Sequence, residues 1–366
     1  MRQRELIGIV APVPPPLGGM AIQARALSDA LEGEGYEVSL LATNPRLPFG
    51  LGGVPGVRTV IQSVYFIFQL IAVVPRVAVL HVFAASYFYF FARVLPAIIV
   101  ARLFCRRVIV NYRGGEAQRF LQRFGSLARP VLRLSSALTV PSAFLERCFH
   151  QHGLSSTVVR NLIDIERFPF RRREILRPHL LVTRNLEPMY NVAMALRAFA
   201  IVKRSYASAQ LDIVGAGSEM AALKKAVETA GLHDVNFYGA VAYRDMPKFL
   251  DGADIFLNPT NVDNLPASLL EAFAAGIPVI STNVGGIPDL LEDQRAALLV
   301  APDDAEGMAE KVLLLLSDPR MADALTTAGQ RIAARFTWDH VREALFTSYF
   351  PDGHSMISTP IGRERA

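Results

Sequence analysis

The sequence predicts an α/β protein of two domains, each built on a parallel sheet. Buried apolar strands alternate with helices along the chain, which is typical of parallel sheets whose ligands bind at the carboxyl ends of the strands. The chain has 366 residues, enough for two domains and a cleft between them. Half of its residues are hydrophobic (51%) and only 19% are charged, so large buried cores are expected.

The first half opens with a βαβ pattern. A strand is predicted over 6–13, a helix over 21–31 and a second strand over 36–42. Gly18 and Gly19 follow the first strand, where residues without a side chain let the backbone approach a ligand closely. Three further strands are predicted, at 77–83, 108–112 and 138–140.

A second α/β cycle follows a stretch rich in proline and arginine. Its predicted elements are a helix over 192–205 and strands at 179–183, 210–214, 236–238, 255–258 and 279–282. We therefore expect the following organisation: an N-terminal domain (1–168), a linker (169–178), a C-terminal domain (179–337), a last helix (338–350) and a frayed tail (351–366).

Charge is distributed unevenly. Residues 1–180 carry 22 arginines, no lysine and 10 carboxylates, a net charge of +12, whereas the remainder carries a net charge of −7. A basic half suggests an anionic partner, and charge alone leaves phospholipid, lipid pyrophosphate and nucleic acid open. The two cysteines, Cys105 and Cys148, form no CxxC pair and fit a reducing cytosol.

The segment 65–105 is very apolar, and three interpretations of it stay open. It could be a buried strand plus helix, a membrane-surface element or a transmembrane helix. Its longest run without Asp, Glu, Lys or Arg is 77–92, 16 residues, which is short for a spanning helix. We expect a buried strand plus helix.

Two carboxylates, Asp263 and Glu271, stand eight positions apart across a predicted loop-to-helix junction. Pro266 suits the first turn of that helix, and helix N-termini attract phosphates. Carboxylates beside a phosphate site can bind sugar hydroxyls. The plainer interpretation is an ordinary loop acid and a glutamate on a helix surface.

This segment resembles the signature of the retaining glycosyltransferases of family 4, in which two glutamates flank seven residues. Asp263 stands at the first position, one methylene shorter than the usual Glu, and Glu271 at the second. Gly276-Ile277-Pro278-Val279 and Gly285-Gly286 follow in the family's order. The resemblance runs from Pro12 to about Phe350 and implies the GT-B fold, with two Rossmann-like, doubly wound domains facing across a cleft.

The resemblance also implies roles for individual residues. Arg184 corresponds to the arginine that holds the donor diphosphate, while the lysine that usually assists it is replaced by Met189 or Tyr190. Glu271 would hold the nucleotide ribose and Asp263 the donor sugar. The remaining donor-binding positions are Gly18, Gly19, Gly215, Gly217, Asn264, Leu265, Pro266, Gly285 and Gly286.

Arg113 is a second departure from the family pattern. Related enzymes commonly carry a His-Gly pair where this chain has Arg113-Gly114. We expect Arg113 to reach across the cleft when the domains close and to supply the charge of the missing lysine. The alternative is an arginine paired with Glu116.

The implied reaction is transfer of a sugar, with retention, from a nucleotide-diphosphate sugar to a hydroxyl of a glycan or lipid-linked acceptor. No cofactor and no obligatory metal are expected, and no HxxxH pattern or acidic triad suggests a metal site. The expected location is cytoplasmic and peripheral at the inner face of the cell membrane, with reversible contact with anionic lipid and no nucleic-acid partner. The alternatives are a nucleotide-sugar epimerase, which needs no acceptor, and a non-catalytic sugar- or lipid-binding protein.

Overall fold

The computed structural model describes residues 5–14, 18–45, 55–291 and 296–351, with the backbone alone for 55–57. Residue contacts divide the chain into two compact units. Unit 1 comprises 1–141, 146–160 and 341–366, and unit 2 comprises 142–145 and 161–340. The expected frayed tail beyond residue 351 and part of the loop before Gly18 lie outside the described residues.

Unit 1 is built on a six-stranded parallel sheet of order β2-β1-β3-β4-β5-β6. The strands and helices of this part of the chain are β1 (Leu6–Ala11), α1 (Gly19–Gly33), β2 (Glu37–Ala42), α2 (Pro55–Val73), β3 (Val79–Ala84), α3 (Tyr87–Tyr89), α4 (Leu95–Leu103), β4 (Arg107–Tyr112), α5 (Ala117–Arg133), β5 (Ala137–Val140), α6 (Ala143–Gln151) and β6 (Thr157–Val158). A π-helical turn, Phe90–Val94, joins α3 to α4.

Unit 2 repeats the plan with the sheet order β12-β11-β10-β7-β8-β9, again parallel. Its elements are β7 (His179–Thr183), α7 (Val192–Ser205), β8 (Gln210–Val214), α8 (Met220–Thr229), β9 (Val235–Gly239), α9 (Met246–Gly252), β10 (Ile255–Asn258), α10 (Ala267–Ala274), β11 (Val279–Thr282), α11 (Ile287–Leu290), β12 (Ala297–Val300), α12 (Ala305–Ser317) and α13 (Pro319–Ala334). The strand order reverses between β7 and β10, so a crevice is expected at the carboxyl ends of these two strands. The predicted fold class, two Rossmann-like doubly wound domains, is confirmed.

The last helix, α14 (Trp338–Tyr349), joins unit 1 from Val341 onward. The Tyr349 hydroxyl lies 2.9 Å from Nδ1 of His81 in the middle of the sheet, and both side chains are fully buried. The guanidinium of Arg107 donates to the Ser348 carbonyl. Burial lowers the pKa of His81 to about 3, so the imidazole is neutral and the contact is an uncharged hydrogen bond.

The contacts place residues 161–178 within unit 2, although the sequence suggested the end of the first domain and a linker there. Phe168 is buried in the unit 2 core. Arg173, also buried, donates to the carbonyls of Ala275 and Gly276. Residues 161–178 therefore pack as part of unit 2.

The expectation of a buried strand plus helix over 65–105 holds for β3 and for one face of α4, but α2 differs from it. Strand β3 is buried throughout, but the outward face of α2 is exposed and apolar. Within the described residues, one helical segment, Arg58–Arg76, is long and apolar enough to cross a membrane, and only 17% of it is buried. The expectation fails for α2 because the fold covers only one side of a helix that is apolar on more than one face.

Candidate functional site

Arg184 and Asp263 meet where the strand order of unit 2 reverses. Arg184 directly follows β7, and Asp263 lies in the loop that follows β10. Their side chains form an ion pair and are only 10% and 14% exposed. The Arg184 guanidinium also stacks on the Tyr190 ring, 4.4 Å from its centroid. Tyr190 is one of the two candidates for the position of the missing lysine, so an aromatic ring contacts the arginine there.

Two glycines fix the backbone around this pair. Gly215 follows β8 with φ +148°, and a Cβ there would collide with the Arg184 carbonyl oxygen. Gly285 follows β11 with φ +57°, and a Cβ there would collide with the Asp263 carbonyl oxygen. Only glycine allows these close approaches, so the two loops hold the backbone of the ion-paired residues. The neighbouring Gly217 and Gly286 lie against Leu186 and Asn264 in the same way.

Glu271 lies in the second turn of α10 and is almost fully buried. The Tyr243 hydroxyl donates to its Oε1 at 3.0 Å. Burial raises the pKa of Glu271 to about 7, although the Tyr243 hydrogen bond and the charges of Arg184 and Arg167 act in the opposite direction. Because these effects oppose one another, a further hydrogen bond from an incoming hydroxyl would stabilise the ionised form of the Glu271 carboxylate.

The loop between Asp263 and α10 is held from both sides. The Ser142 hydroxyl donates to Oδ1 of Asn264, and the Asn161 side-chain amide donates to the Leu265 carbonyl at 2.9 Å. Pro266 caps α10 with an extended backbone. All three loop residues, Asn264 to Pro266, are buried, so the start of α10 is fixed beside Asp263.

Unit 1 carries the other predicted site residues. Gly18 and Gly19 begin α1 just after the β1 loop, and a Cβ on either would meet no heavy atom within 4 Å among the described residues. Arg113 follows β4, with its guanidinium 5.2 Å from the centroid of the Phe83 ring and a long hydrogen bond (3.3 Å) to Oδ1 of Asn111. Burial lowers the pKa of Arg113 to about 9.

The structure therefore brings Arg184, Asp263 and Glu271 together in unit 2, with the loops of Gly215 and Gly285. In the part of the chain that the structure describes, no group of three or more His, Cys, Asp or Glu side chains could hold a metal ion. Sequence reasoning missed Tyr243, which lies 28 residues before Glu271. A tyrosine shortly before α9 belongs to no motif in the sequence. Only the fold brings its hydroxyl to the Glu271 carboxylate.

Two family models match adjoining parts of the sequence. The model described as Glycosyltransferase Family 4 matches residues 17–167, and the model described as Glycosyl transferases group 1 matches residues 169–332. Together they span both units.

Curated relatives agree with these matches. A glycogen synthase of Mycobacterium tuberculosis is 29% identical over 273 residues, 69% of this chain and 65% of that protein. A GDP-mannose-dependent phosphatidylinositol monomannoside mannosyltransferase of the same organism is 31% identical over 196 residues, 48% of this chain and 51% of that protein. The matches thus span about two thirds and about half of these relatives.

Solved structures share the fold. The Anabaena protein HepE, crystallised with UDP and glucose, superposes with a TM-score of 0.74 over 94% of this chain and 99% of its own. Its sequence is 16% identical, so the likeness concerns the fold alone.

Proposed function

Because the chain belongs to glycosyltransferase family 4, we propose that it moves a sugar from a nucleotide-diphosphate sugar to an acceptor hydroxyl with retention of configuration. The observation that carries the proposal is the Arg184–Asp263 ion pair, which lies where the strand order of the sheet reverses. The buried Glu271 is close enough to Arg184 for the arginine's charge to lower the pKa of the glutamate. Parallel sheets bind nucleotides at this place. A non-catalytic binding protein would not need a buried arginine beside two acids there.

The chemistry requires stabilisation of the leaving diphosphate. As the bond from the sugar to the diphosphate breaks, the sugar gains oxocarbenium character and negative charge develops on the leaving oxygen. Arg184 would pair two diphosphate oxygens through its planar fork, and the first amides of α10 would face the same anion. Protein groups would thus supply the positive charge, without a cofactor or an obligatory metal.

The two acids would hold the donor. Glu271, oriented by the Tyr243 hydroxyl, would accept hydrogen bonds from the nucleotide ribose. Asp263 would accept from a hydroxyl of the transferred sugar, and Arg184, its present partner, would turn toward the diphosphate. Gly215, Gly217 and the Gly285-Gly286 turn would let the nucleotide approach the backbone.

The relatives support a glycan or lipid-linked acceptor. One is named as a glycogen synthase and another as a phosphatidylinositol monomannoside mannosyltransferase. The names of these relatives give no support to the epimerase alternative. The basic half of the chain favours a cytoplasmic enzyme that contacts the inner face of the cell membrane reversibly.

A donor screen tests the proposal. Among UDP-, GDP- and ADP-sugars, one should raise the thermal unfolding midpoint, because a ligand at 100 times its dissociation constant adds about 2.7 kcal/mol to the stability of the folded state. The same sugar should be transferred to an acceptor with retention, as read by NMR of the product anomer. Glu271→Ala should lose most of the midpoint shift, and Asp263→Ala should lose sugar selectivity more than nucleotide binding. No shift with any of these donors would contradict the proposal.

Arg113 gives a second prediction. If its charge acts on the diphosphate in the transition state, Arg113→Ala should lower kcat by about 30-fold, the scale of one charged hydrogen bond, and change nucleotide affinity little. A lysine at Met189 or Tyr190 should recover part of the loss. Arg119→Ala, which removes an exposed arginine of the same unit, should be neutral. Normal turnover in Arg113→Ala would show that Arg113 only packs on Phe83.

A further inference from the structure

Helix α2 carries an exposed apolar face that unit 1 leaves uncovered. Its outward residues lie along one side of the helix over about 17 Å, at the spacing of successive turns. Phe68 and Val60 are 67% and 64% exposed. The face, called the α2 face below, consists of Val60, Val64, Ile67, Phe68 and Ile71. Large exposed apolar surfaces on a folded unit mark binding sites.

The segment of the sequence that carries this face has charge of one sign. Between Glu37 and Glu116 the sequence has 78 residues without a carboxylate and with eight arginines. Two of these, Arg58 and Arg76, lie exposed near the two ends of α2, and Arg102 lies exposed at the end of α4. Helix α4 contacts α2 and adds the exposed Leu103. Arginines that bracket an apolar helix face can reach lipid headgroups while the apolar side chains enter the acyl boundary.

The opposite side of α2 is fixed to the unit. Phe66 and Leu70 are fully buried. The buried Arg93 donates to the Ser63 hydroxyl at 2.8 Å, and its guanidinium lies 5.5 Å from the centroid of the Phe66 ring. Crossing a membrane would pull these side chains out of the core, so the length and composition of α2 do not make it a spanning helix. A helix held in this way can only lie along a surface.

From this geometry we infer that the α2 face docks unit 1 on an anionic lipid bilayer, with α2 parallel to the membrane plane. A second copy of this chain is a poorer occupant, because face-to-face contact would bring the flanking arginines of both copies together without a carboxylate from this segment. The inference deepens the proposed location and acceptor. Lipid binding is measured without any transfer reaction, so either proposal can fail alone.

Flotation of the full chain with vesicles tests the inference. The wild type should float with phosphatidylcholine–phosphatidylglycerol vesicles at low salt, float weakly with phosphatidylcholine alone, and be released by high salt. Phe68→Asp/Ile71→Asp should weaken binding at least tenfold. The matched control, Ile175→Asp/Leu314→Asp, makes the same change of charge at exposed apolar residues of unit 2 and should bind like the wild type.

A second variant separates charge from apolar contact. Arg58→Gln/Arg76→Gln keeps the α2 face and should weaken binding to the anionic vesicles by about fivefold per arginine. Equal thermal unfolding midpoints for all variants would establish that each is folded. The inference is overturned by a wild type that does not float with anionic vesicles, or by an α2 variant that floats as well as the control. Two further results would also overturn it: resistance of the bound wild type to alkaline carbonate, which indicates spanning, and lipid-free self-association that the α2 variant abolishes.

Discussion

Replacing Arg184 with alanine should lower kcat/KM of the proposed transfer by about 10²–10³-fold, the cost of removing a donor aimed at developing negative charge. The guanidinium is enclosed by the Asp263 carboxylate and the Tyr190 ring, so water cannot easily take its place. Burial lowers the pKa of Arg184 to about 10, against the opposing influence of Tyr190 and Glu271. The group therefore stays cationic at neutral pH. Steady-state kinetics with the donor found in the screen would measure the loss.

Two variants make this experiment specific. Arg184→Lys keeps a charge but loses the planar fork, so it should recover only part of the rate. Arg172→Ala removes an arginine that binds both oxygens of Asp323 on the surface of the same unit, and it should leave kcat/KM unchanged. Equal losses in Arg172→Ala and Arg184→Ala would mean that the effect is structural rather than catalytic.

Replacing Asp254 with alanine should lower the free energy of unfolding by about 3–5 kcal/mol, the cost of removing one partner of a buried ion pair. Its carboxylate is 1% exposed and pairs with the buried Arg173 and with Arg171 and Arg177. Arg173 would keep its carbonyl acceptors but lose the contact with this carboxylate. Denaturant unfolding would measure the change, and Asp323→Ala, at an exposed pair, should have a much smaller effect.

The dependence of the free energy of unfolding on pH tests the role of Asp254 independently. Burial alone would raise the Asp254 pKa, but hydrogen bonds from Arg177 and the charges of Arg177 and Arg173 lower it below its ordinary value. Since the folded pKa is the lower one, the stabilisation is present above about pH 4 and is lost as the pH falls through the folded pKa. Asp254→Asn should lack this component of acid destabilisation. An acid profile equal to that of the wild type would contradict the assignment.

The sequence predicted the second sheet well because its central strands are short, mostly apolar runs with a proline, a glycine or a polar residue on at least one side. Strands β7, β8, β10 and β11 begin and end at the predicted residues. Strands β6 and β12, at the sheet edges, were missed, since a two-residue edge strand and an Ala-Leu-Leu-Val run next to helical sequence give little periodicity. Helix α2 was misjudged because composition shows that a helix is apolar but not which of its faces the fold covers.

The candidate site was predicted as separate residues, not as contacts. Arg184 and Asp263 each follow a predicted strand, but nothing in the order of the chain shows that these strands are neighbours in the sheet. Their pairing across 79 residues is a product of topology. The Ser142 hydroxyl accepts from the Leu145 amide at the start of α6 and also donates to Asn264. That second contact depends on a short segment that belongs to unit 2 although it lies between two segments of unit 1.

The return of α14 to unit 1 has a consequence for the order in which the protein is made. Its last turns cover His81 and contact Arg107 and the Tyr36 ring, all of which leave the ribosome more than 200 residues earlier. The sheet of unit 1 therefore emerges first but stays uncovered at this place until α14 has been synthesised. Unit 2, whose residues end at His340, can close before it. The growing chain exposes the apolar surroundings of His81 until the residues of α14 emerge and shield it.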